Sequence, residues 1–307
     1  MEYPEIFNVD EDEFLIGAVR DPFDLIQLNK LHSLWNSQGA LEWSSGVNDF
    51  PLFSLIDPDG CLVGKLNGRI VSILIAINYS KTNSFIGAFI TDPKLRNRGY
   101  GTRLWEAALA HCGKRCIGMY AVETMVKRYQ RDGFQSMGKV LIYKIGQLDR
   151  FDDPEDDSIT DANTVPLQEL TVFNQSTGLA HLPGNFLQAW MRQPGAVAVA
   201  YKSRDGLLGY GIIRRCYANG MWKIGPLVAT DGRAAEKILH VLLSRAPDAR
   251  GVLMEVFADN KPAVELVEGL CGTVLEENVI MYRSITGSEV HSNFTSCIYA
   301  VTSGVIG

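Results

Sequence analysis

The sequence predicts an α/β (α+β) chain built as two successive domains, each a mixed β-sheet covered by helices. Three observations carry this. Strand-like and helix-like apolar patterns alternate, with several strands in succession, which suits a sheet layered with helices. Landmarks then recur at a steady spacing: Gly68 with Gly206, Ile86-Gly87 with Ile224-Gly225, Asp92 with Asp231 and Gly133 with Gly272, always 138 or 139 residues apart. Between the two series lies Asp149 to Asp157, where six acids against one arginine cannot pack. The expected division is 1–148 for the first domain, 149–158 for an acidic linker, 159–287 for the second domain and 288–307 for a tail.

Phe14 to Arg20 reads as the first strand. Asp21-Pro22 starts a helix, with Asp as N-cap and Pro at the first position, and Phe23, Ile26, Leu28, Leu31 and Leu34 along it. Residues 38–50 are polar around Trp43 and read as an irregular loop, or a short helix between loops. Ser54 to Leu66 and Arg69 to Tyr79 read as strands joined at Asn67-Gly68, a hairpin signal. The apolar run from Phe85 reads as a buried strand that Asp92-Pro93 stops, because proline has no N–H for the ladder. Trp105, Ala108, Leu109 and Cys112 follow at helical spacing. Ile117 to Val122 is a strand, Met125 to Arg131 a short helix and Gly138 to Ile145 a strand.

The second series repeats this order. Leu182 to Met191 reads as a helix, and Ala196 to Lys202, Leu207 to Cys216 and Gly220 to Val228 read as strands. A helix carries Ala235, Ile238, Leu239 and Leu242, followed by strand Gly251 to Phe257, helix Lys261 to Leu270 and strand Thr273 to Arg283. Ser296 to Thr302 is again strand-like and is expected to pair with a sheet edge, since an unpaired apolar strand invites aggregation.

The chemistry concentrates between Phe85 and Cys112. A strand, the turn Arg96-Asn97-Arg98-Gly99-Tyr100-Gly101 and then a helix form a device for holding phosphate. The first N–H groups of a helix lack internal partners and the dipole is positive there. Gly99 and Gly101 let the backbone approach a ligand, and Arg96 and Arg98 can add charge-assisted bonds. The spacing is neither Gly-Lys-Ser/Thr nor a three-glycine dinucleotide turn.

Arg96-x-x-Gly99-x-Gly101 after an apolar strand, with Tyr129-x-x-x-Gly133-Phe134 further on, resembles the signature motifs of the GNAT superfamily of N-acetyltransferases over roughly residues 10–146. The resemblance implies a sheet whose fourth and fifth strands splay to admit acetyl-CoA. It implies a pyrophosphate site at Arg96, Asn97, Arg98, Gly99, Tyr100, Gly101 and Thr102, and pantetheine beside Phe89 and Ile90. Tyr129 stands where the family often places a tyrosine as general acid, although the family's Asn/Ala pattern ahead of it is replaced by Val122, Glu123 and Met125. Glu123, Glu42 and Asp49 are the candidates for taking the amine's proton, and Glu42, Trp43 and Asp49 lie in the stretch that in this family often lines the acceptor pocket. At the repeat offset Arg96, Gly99 and Gly101 become Ala235, Ile238 and His240, so the second half resembles a degenerate GNAT copy, with Asn260-x-x-Ala263 a fragment of a second motif.

Composition narrows the classes. A net charge of −6, nearly all of it in the acidic run, excludes the basic face of a nucleic-acid protein. No apolar run is long enough for a bilayer and the N-terminus lacks a basic, then apolar, leader, so a cytoplasmic protein with reduced cysteines is expected. The five histidines are scattered, and no metal is inferred. The expectation is an acetyl-CoA-dependent N-acetyltransferase acting directly on a small primary amine, an amino acid or biogenic amine, as monomer or homodimer. The rivals are a CoA-binding tandem pseudoenzyme or sensor, a longer acyl group, or a protein lysine as acceptor.

Overall fold

The computed structural model describes residues 13–19, 21–36, 45–146, 156–179, 181–284 and 296–307. Glu42, Trp43 and most of the acidic linker lie outside them. In the first half, β1 (Phe14–Ala18), β2 (Cys61–Leu66), β3 (Arg69–Asn78) and β4 (Asn83–Thr91) form an antiparallel series. The β2–β3 turn is made by Asn67 and Gly68, both left-handed at φ 51° and 77°, as a tight hairpin demands. β2 starts later than the sequence suggests. Residues 54–60 instead leave the short helix α2 (Asp49–Phe53) in a turn around the Asp57 carboxylate, which accepts from Asn78 N at 2.9 Å and Asp59 N at 3.1 Å.

Helix α1 (Pro22–Asn36) starts as expected, with Phe23 N donating to Asp21 Oδ1 at 2.9 Å. It buries Leu28 and Leu31 and leaves Phe23, Ile26 and Leu34 exposed. Helix α3 (Tyr100–Cys112) packs Leu104, Trp105, Ala108 and Cys112 onto the sheet. It leads to β5 (Cys116–Val122), which runs parallel to β4, then α4 (Val126–Arg131) and β6 (Gln135–Ile145).

The second half contains β7 (Ile159–Asp161), α5 (Leu167–Thr177), α6 (Gly184–Arg192), β8 (Val197–Ser203), β9 (Gly206–Arg215), β10 (Met221–Ala229), α7 (Gly232–Ser244), β11 (Gly251–Phe257), α8 (Lys261–Gly269) and β12 (Thr273–Arg283). β7 and α5 have no counterpart in the sequence reading. β7 is only three residues, and α5 mixes its apolar positions with Gln168, Glu169, Thr171 and Gln175. The end of the acidic run is tied down: Asp156 pairs with Lys237 of α7 at 2.7 Å. Bonds from Lys237 and Ser158 hold its carboxyl well below the usual carboxylate range.

The two halves share one sheet, ordered β1-β2-β3-β4-β5-β12-β6-β11-β10-β9-β8-β7. Their last strands are exchanged: β12 pairs with β5 of the first half, and β6 pairs with β11 of the second. β6 and β12 also pair with each other, so the exchange is the seam of the molecule.

Each half has a parted pair of parallel strands. The β4–β5 ladder covers only Asn83–Ile86 against Cys116–Met119, and the β10–β11 ladder only Met221–Ile224 against Gly251–Met254. Both leading strands bulge at the parting, at residues 88–89 and 225–226, where two residues face one on the neighbour. The second parting is filled by the tail. β13 (Ile298–Ala300) pairs with β10, and Val301 N donates to Glu255 O of β11 at 3.0 Å. The tail therefore enters the sheet's interior rather than an outer edge, because the parted strands offer two rows of backbone groups that must find partners.

A buried ion pair clamps the halves. Arg214 of β9 donates from Nε and Nη2 to the two oxygens of Asp49 at 2.8 and 3.0 Å, and both side chains are at most 1% exposed. The same guanidinium bonds Gly225 O at 3.1 Å and Thr302 O at 3.3 Å and lies 4.3 Å over the Trp190 ring. Leaving one charge buried without its partner costs about 3–5 kcal/mol. Asp49→Ala and Arg214→Met should each lower the urea-unfolding free energy by about that much, and the double variant by less than the sum. Additive losses would show that the pair does not act as a unit.

Candidate active site

A cavity of about 620 Å³ opens where β4 leaves β5. Its outer end is the turn ahead of α3, and Leu95, Arg96, Asn97, Gly99, Gly101 and Thr102 line it. Gly99 caps the helix in the left-handed region at φ 85°, and a Cβ there would meet nothing within 4 Å. The first bond within the helix is Arg103 N to Gly99 O at 3.0 Å. The N–H groups of Tyr100, Gly101 and Thr102 thus precede the helical ladder and form an electropositive cradle. Gly101 is needed for a different reason: a Cβ would sit 3.0 Å from Thr91 Oγ1 and 3.4 Å from the Phe89 ring. This chain's residues therefore suit an anionic diphosphate at this end.

The expected loop residues divide. Arg96 Nε donates to Thr91 O at 3.2 Å, which folds that side chain back on the end of β4. Arg98 is exposed and does not line the cavity, and Tyr100 turns away to stack on Phe14 at 4.7 Å. Phe89 and Ile90 both line the cavity, Phe89 stacked on Trp105 at 5.6 Å. Ala88 between Gly87 and Phe89 is left-handed at φ 47°, the local mark of the bulge.

Tyr129 lines the cavity, packed 5.0 Å from Trp105 and 6.2 Å from Phe134. Burial pushes its phenol up to about 12; Arg128 works against the shift and Asp132 with it. Glu123 is exposed at the start of a 3-10 turn and is not part of the wall. Asp49 is also withdrawn: Arg214 and Gly46 N, at 2.9 Å, occupy its carboxylate. Glu42 and Trp43 fall outside the described residues.

The inner end comes largely from residues the sequence reading did not single out. Ser45 Oγ and His32 Nε2 lie 3.2 Å apart, with the His32 ring 4.6 Å from that of Phe50. Lys223 of β10, Glu255 of β11 and Asn278 of β12 also line it, as do Gly304 and Val305 of the tail. Lys223 Nζ donates to Glu255 Oε1 in an ion pair at most 5% exposed. The only available signal was a lysine and a glutamate interrupting apolar strands, since ionised groups are seldom buried unpaired.

The second copy keeps the bulge but loses the turn. Residues 92–99 separate β4 from α3, whereas only 230–231 separate β10 from α7. Asp92 caps the 3-10 turn after β4, while Asp231 caps α7 itself, accepting from Ala234 N at 2.9 Å. The fixed offset that set Ala235, Ile238 and His240 opposite the phosphate turn therefore fails there; the turn is missing rather than substituted. Asn260 caps α8 and donates to Ile298 O at 2.8 Å, so the second-motif fragment holds the tail.

A parted sheet present twice, open once and with a glycine turn beside the open parting, is the pattern of a duplicated acyltransferase fold. Residues 28–134 match the family model described as Acetyltransferase (GNAT) family, and residues 183–294 the one described as Acetyltransferase (GNAT) domain. The chain belongs to the GNAT superfamily, in its tandem form. It is 24% identical over 291 residues to the Holothin acyltransferase of Pseudoalteromonas sp. (strain SANK 73390), spanning 88% of this chain and 94% of that one. A putative acetyltransferase from Pyrococcus horikoshii superposes over the whole of both chains, with a TM-score of 0.75 and 21% identity. A tandem GNAT protein from the clavulanic acid biosynthesis pathway matches 91% of this chain and all of its own, with a TM-score of 0.65 and 16% identity. At these identities the structures speak for the fold. Among the described residues there is no cluster able to hold a metal ion, and no helix is long and apolar enough to cross a membrane.

Two outcomes test this geometry. Gly99→Trp should weaken binding of CoA at least tenfold by calorimetry, while Gly99→Ala, which adds only the backbone strain of a left-handed residue, should weaken it far less. His32 is 2% exposed, and burial lowers its pKa from 6.5 to about 4; Asp49 opposes this and Lys223 adds to it. The folded protein then binds fewer protons than the unfolded chain between those values, so stability falls as pH drops from 6.5 toward 4. The stability is fully present above 6.5, and its loss amounts to about 3 kcal/mol by pH 4. Urea unfolding of His32→Gln across this range should show a correspondingly shallower slope.

Proposed function

We propose that the protein transfers an acetyl group from acetyl-CoA directly to a small primary amine. The observation that carries this is the open, left-handed Gly99 at the start of α3, facing a cavity that continues past the β4 bulge to Tyr129. The first N–H groups of α3 take the pyrophosphate, with Arg128 on the cavity wall as an added cation. The backbone of residues 87–90, released from β5, bonds the pantetheine amides and polarises the thioester carbonyl. Phe89 and Ile90 flank the pantetheine arm. No cysteine stands among the described residues around the cavity, so the amine attacks the thioester without an acyl-enzyme stage.

Tyr129 acts on the departing sulfur. A phenol near 12 stays protonated at neutral pH. A thiol's ordinary value is about 8.5, so the phenol is the weaker acid. Its role is to donate a hydrogen bond that stabilises the thiolate as the C–S bond breaks. The name of the Pseudoalteromonas relative says that protein is a holothin acyltransferase, which supports acyl transfer as the reaction.

The experiment is release of free thiol from acetyl-CoA with a panel of holothin, tyramine, histamine and benzylamine. At least one amine should give thiol and acetamide in equal amounts. Acetyl-CoA binding without turnover would leave a CoA-binding pseudoenzyme. With the best amine, Tyr129→Phe should lower kcat by about tenfold to a hundredfold with little change in acetyl-CoA affinity. An unchanged kcat would remove Tyr129 from the reaction.

A further inference from the structure

The exchanged strands do more than join the halves. Asn278 of β12 lies opposite Val122 of β5 and Val140 of β6, and Ile142 of β6 lies opposite Glu255 of β11. Side chains two apart on a strand share a face, so Val122, Asn278, Ile142 and Glu255 form one row across four strands. Lys223 of β10, whose partner Leu253 is two residues from Glu255, continues it. All five line the cavity. Three of the five, Asn278, Glu255 and Lys223, come from the second copy, yet the row floors the site of the first.

The row carries two unanswered acceptors. Glu255 is 4% exposed and Asn278 9%, and no described residue donates to Glu255 Oε2 or to Asn278 Oδ1. A buried acceptor left without a donor costs about 1–3 kcal/mol, so a ligand bringing N–H groups regains that energy. The Lys223 ammonium is bonded to the other carboxylate oxygen. Gly304 of the tail closes over the carboxylate so tightly that a Cβ would come within 2.8 Å of Oε2.

We propose that this row is the acceptor-amine site, with Glu255 as the base that takes the amine's proton and Asn278 as a second acceptor holding the nitrogen. The chemical class it takes is a primary amine, the group with enough N–H donors for both oxygens. In the step, the nitrogen lone pair forms the C–N bond to the thioester carbon. One N–H bond breaks and its proton passes to Glu255 Oε2. The C–S bond breaks with its electron pair going to sulfur, where Tyr129 donates its hydrogen bond. Solvent then takes the proton from Glu255 and protonates the thiolate, leaving amide and free thiol. Asp49 and Glu123 take no part, being occupied and outside the cavity respectively.

This assignment rests on the acetyl-transfer reading, so the two are measured separately. Acetyl-CoA affinity by calorimetry reports on the parent reading, and turnover of the best amine in the panel reports on the row. Glu255→Gln, which preserves shape and can still accept from Lys223, should leave acetyl-CoA affinity within about twofold. It should lower kcat/KM for the amine by about a hundredfold or more, the scale of general-base catalysis. Its remaining activity should climb with pH toward the amine's own pKa. Asn278→Ala should instead raise KM for the amine about tenfold with kcat nearly kept, about the 1.4 kcal/mol of one well-placed bond. A Glu255→Gln enzyme with wild-type kcat/KM and pH profile overturns the proposal. So does an Asn278→Ala enzyme with unchanged KM, should Glu255→Gln fail to fold. If acetyl-CoA binds but none of the amines turns over, the row has no substrate role; if acetyl-CoA does not bind, both readings fall.

Discussion

Backbone groups released when two strands part must find new partners, and the architecture answers that constraint in two ways. β10 leaves β11 after Ile224, and the chain's own tail fills the gap as β13. β4 leaves β5 after Ile86, and there the ladder has no successor among the described strands. What lies opposite is a cavity with a helix N-terminus at its mouth. One copy of the fold is thus closed by protein and the other is shaped for a ligand. The difference lies in the stretch after the strand, where residues 92–99 of the first half correspond to only 230–231 of the second.

The tail links the two partings. After β13 it passes Arg214, which bonds Thr302 O, then Glu255, against which Gly304 packs. It ends beside β4, where Val305 O would lie 2.3 Å from a Cβ on Gly87 and Tyr79 donates its hydroxyl to Ile306 O. Gly87 and Gly225 are glycines for the same reason at the same place in each copy: the tail's backbone crosses too close for a side chain. The repeat visible at these positions therefore records a packing requirement as well as a shared ancestry of pattern.

Burying Asp49–Arg214 and Lys223–Glu255 gains little net stability, because desolvation offsets most of the attraction. Their value is in position. The Asp49–Arg214 pair forms in one arrangement of the halves, and that arrangement sets second-copy side chains beneath the first-copy cavity. Strand exchange achieves the same end through backbone ladders, since β12 cannot pair with β5 without carrying Asn278 to the cavity floor.

Much of the fold was legible in sequence because its causes are local. β12 was expected at its observed bounds, since Gly272 marks its start and β-branched and apolar residues, Val274, Val279 and Ile280 among them, run on to Arg283. Proline after Asp92 ended β4, and Gly99 marked the helix start that carries the candidate phosphate cradle. Short or weakly patterned elements such as β7 and α5 were lost, because their place depends on what they pack against. The acceptor side was lost for a different reason. Asp49 reads as a pocket acid until Arg214, 165 residues away, takes both its oxygens. Glu255 and Lys223, on neighbouring strands, read as interruptions until the exchange sets β11 beside β6 and their pair lines the first copy's site. The sequence by itself determined the strands, the turn and the helix end, because propensity, glycine conformation and proline chemistry act within a few residues. Only the tertiary structure decided which strands crossed between copies and which parting the tail would fill, because those outcomes depend on pairing between segments that nothing local distinguishes.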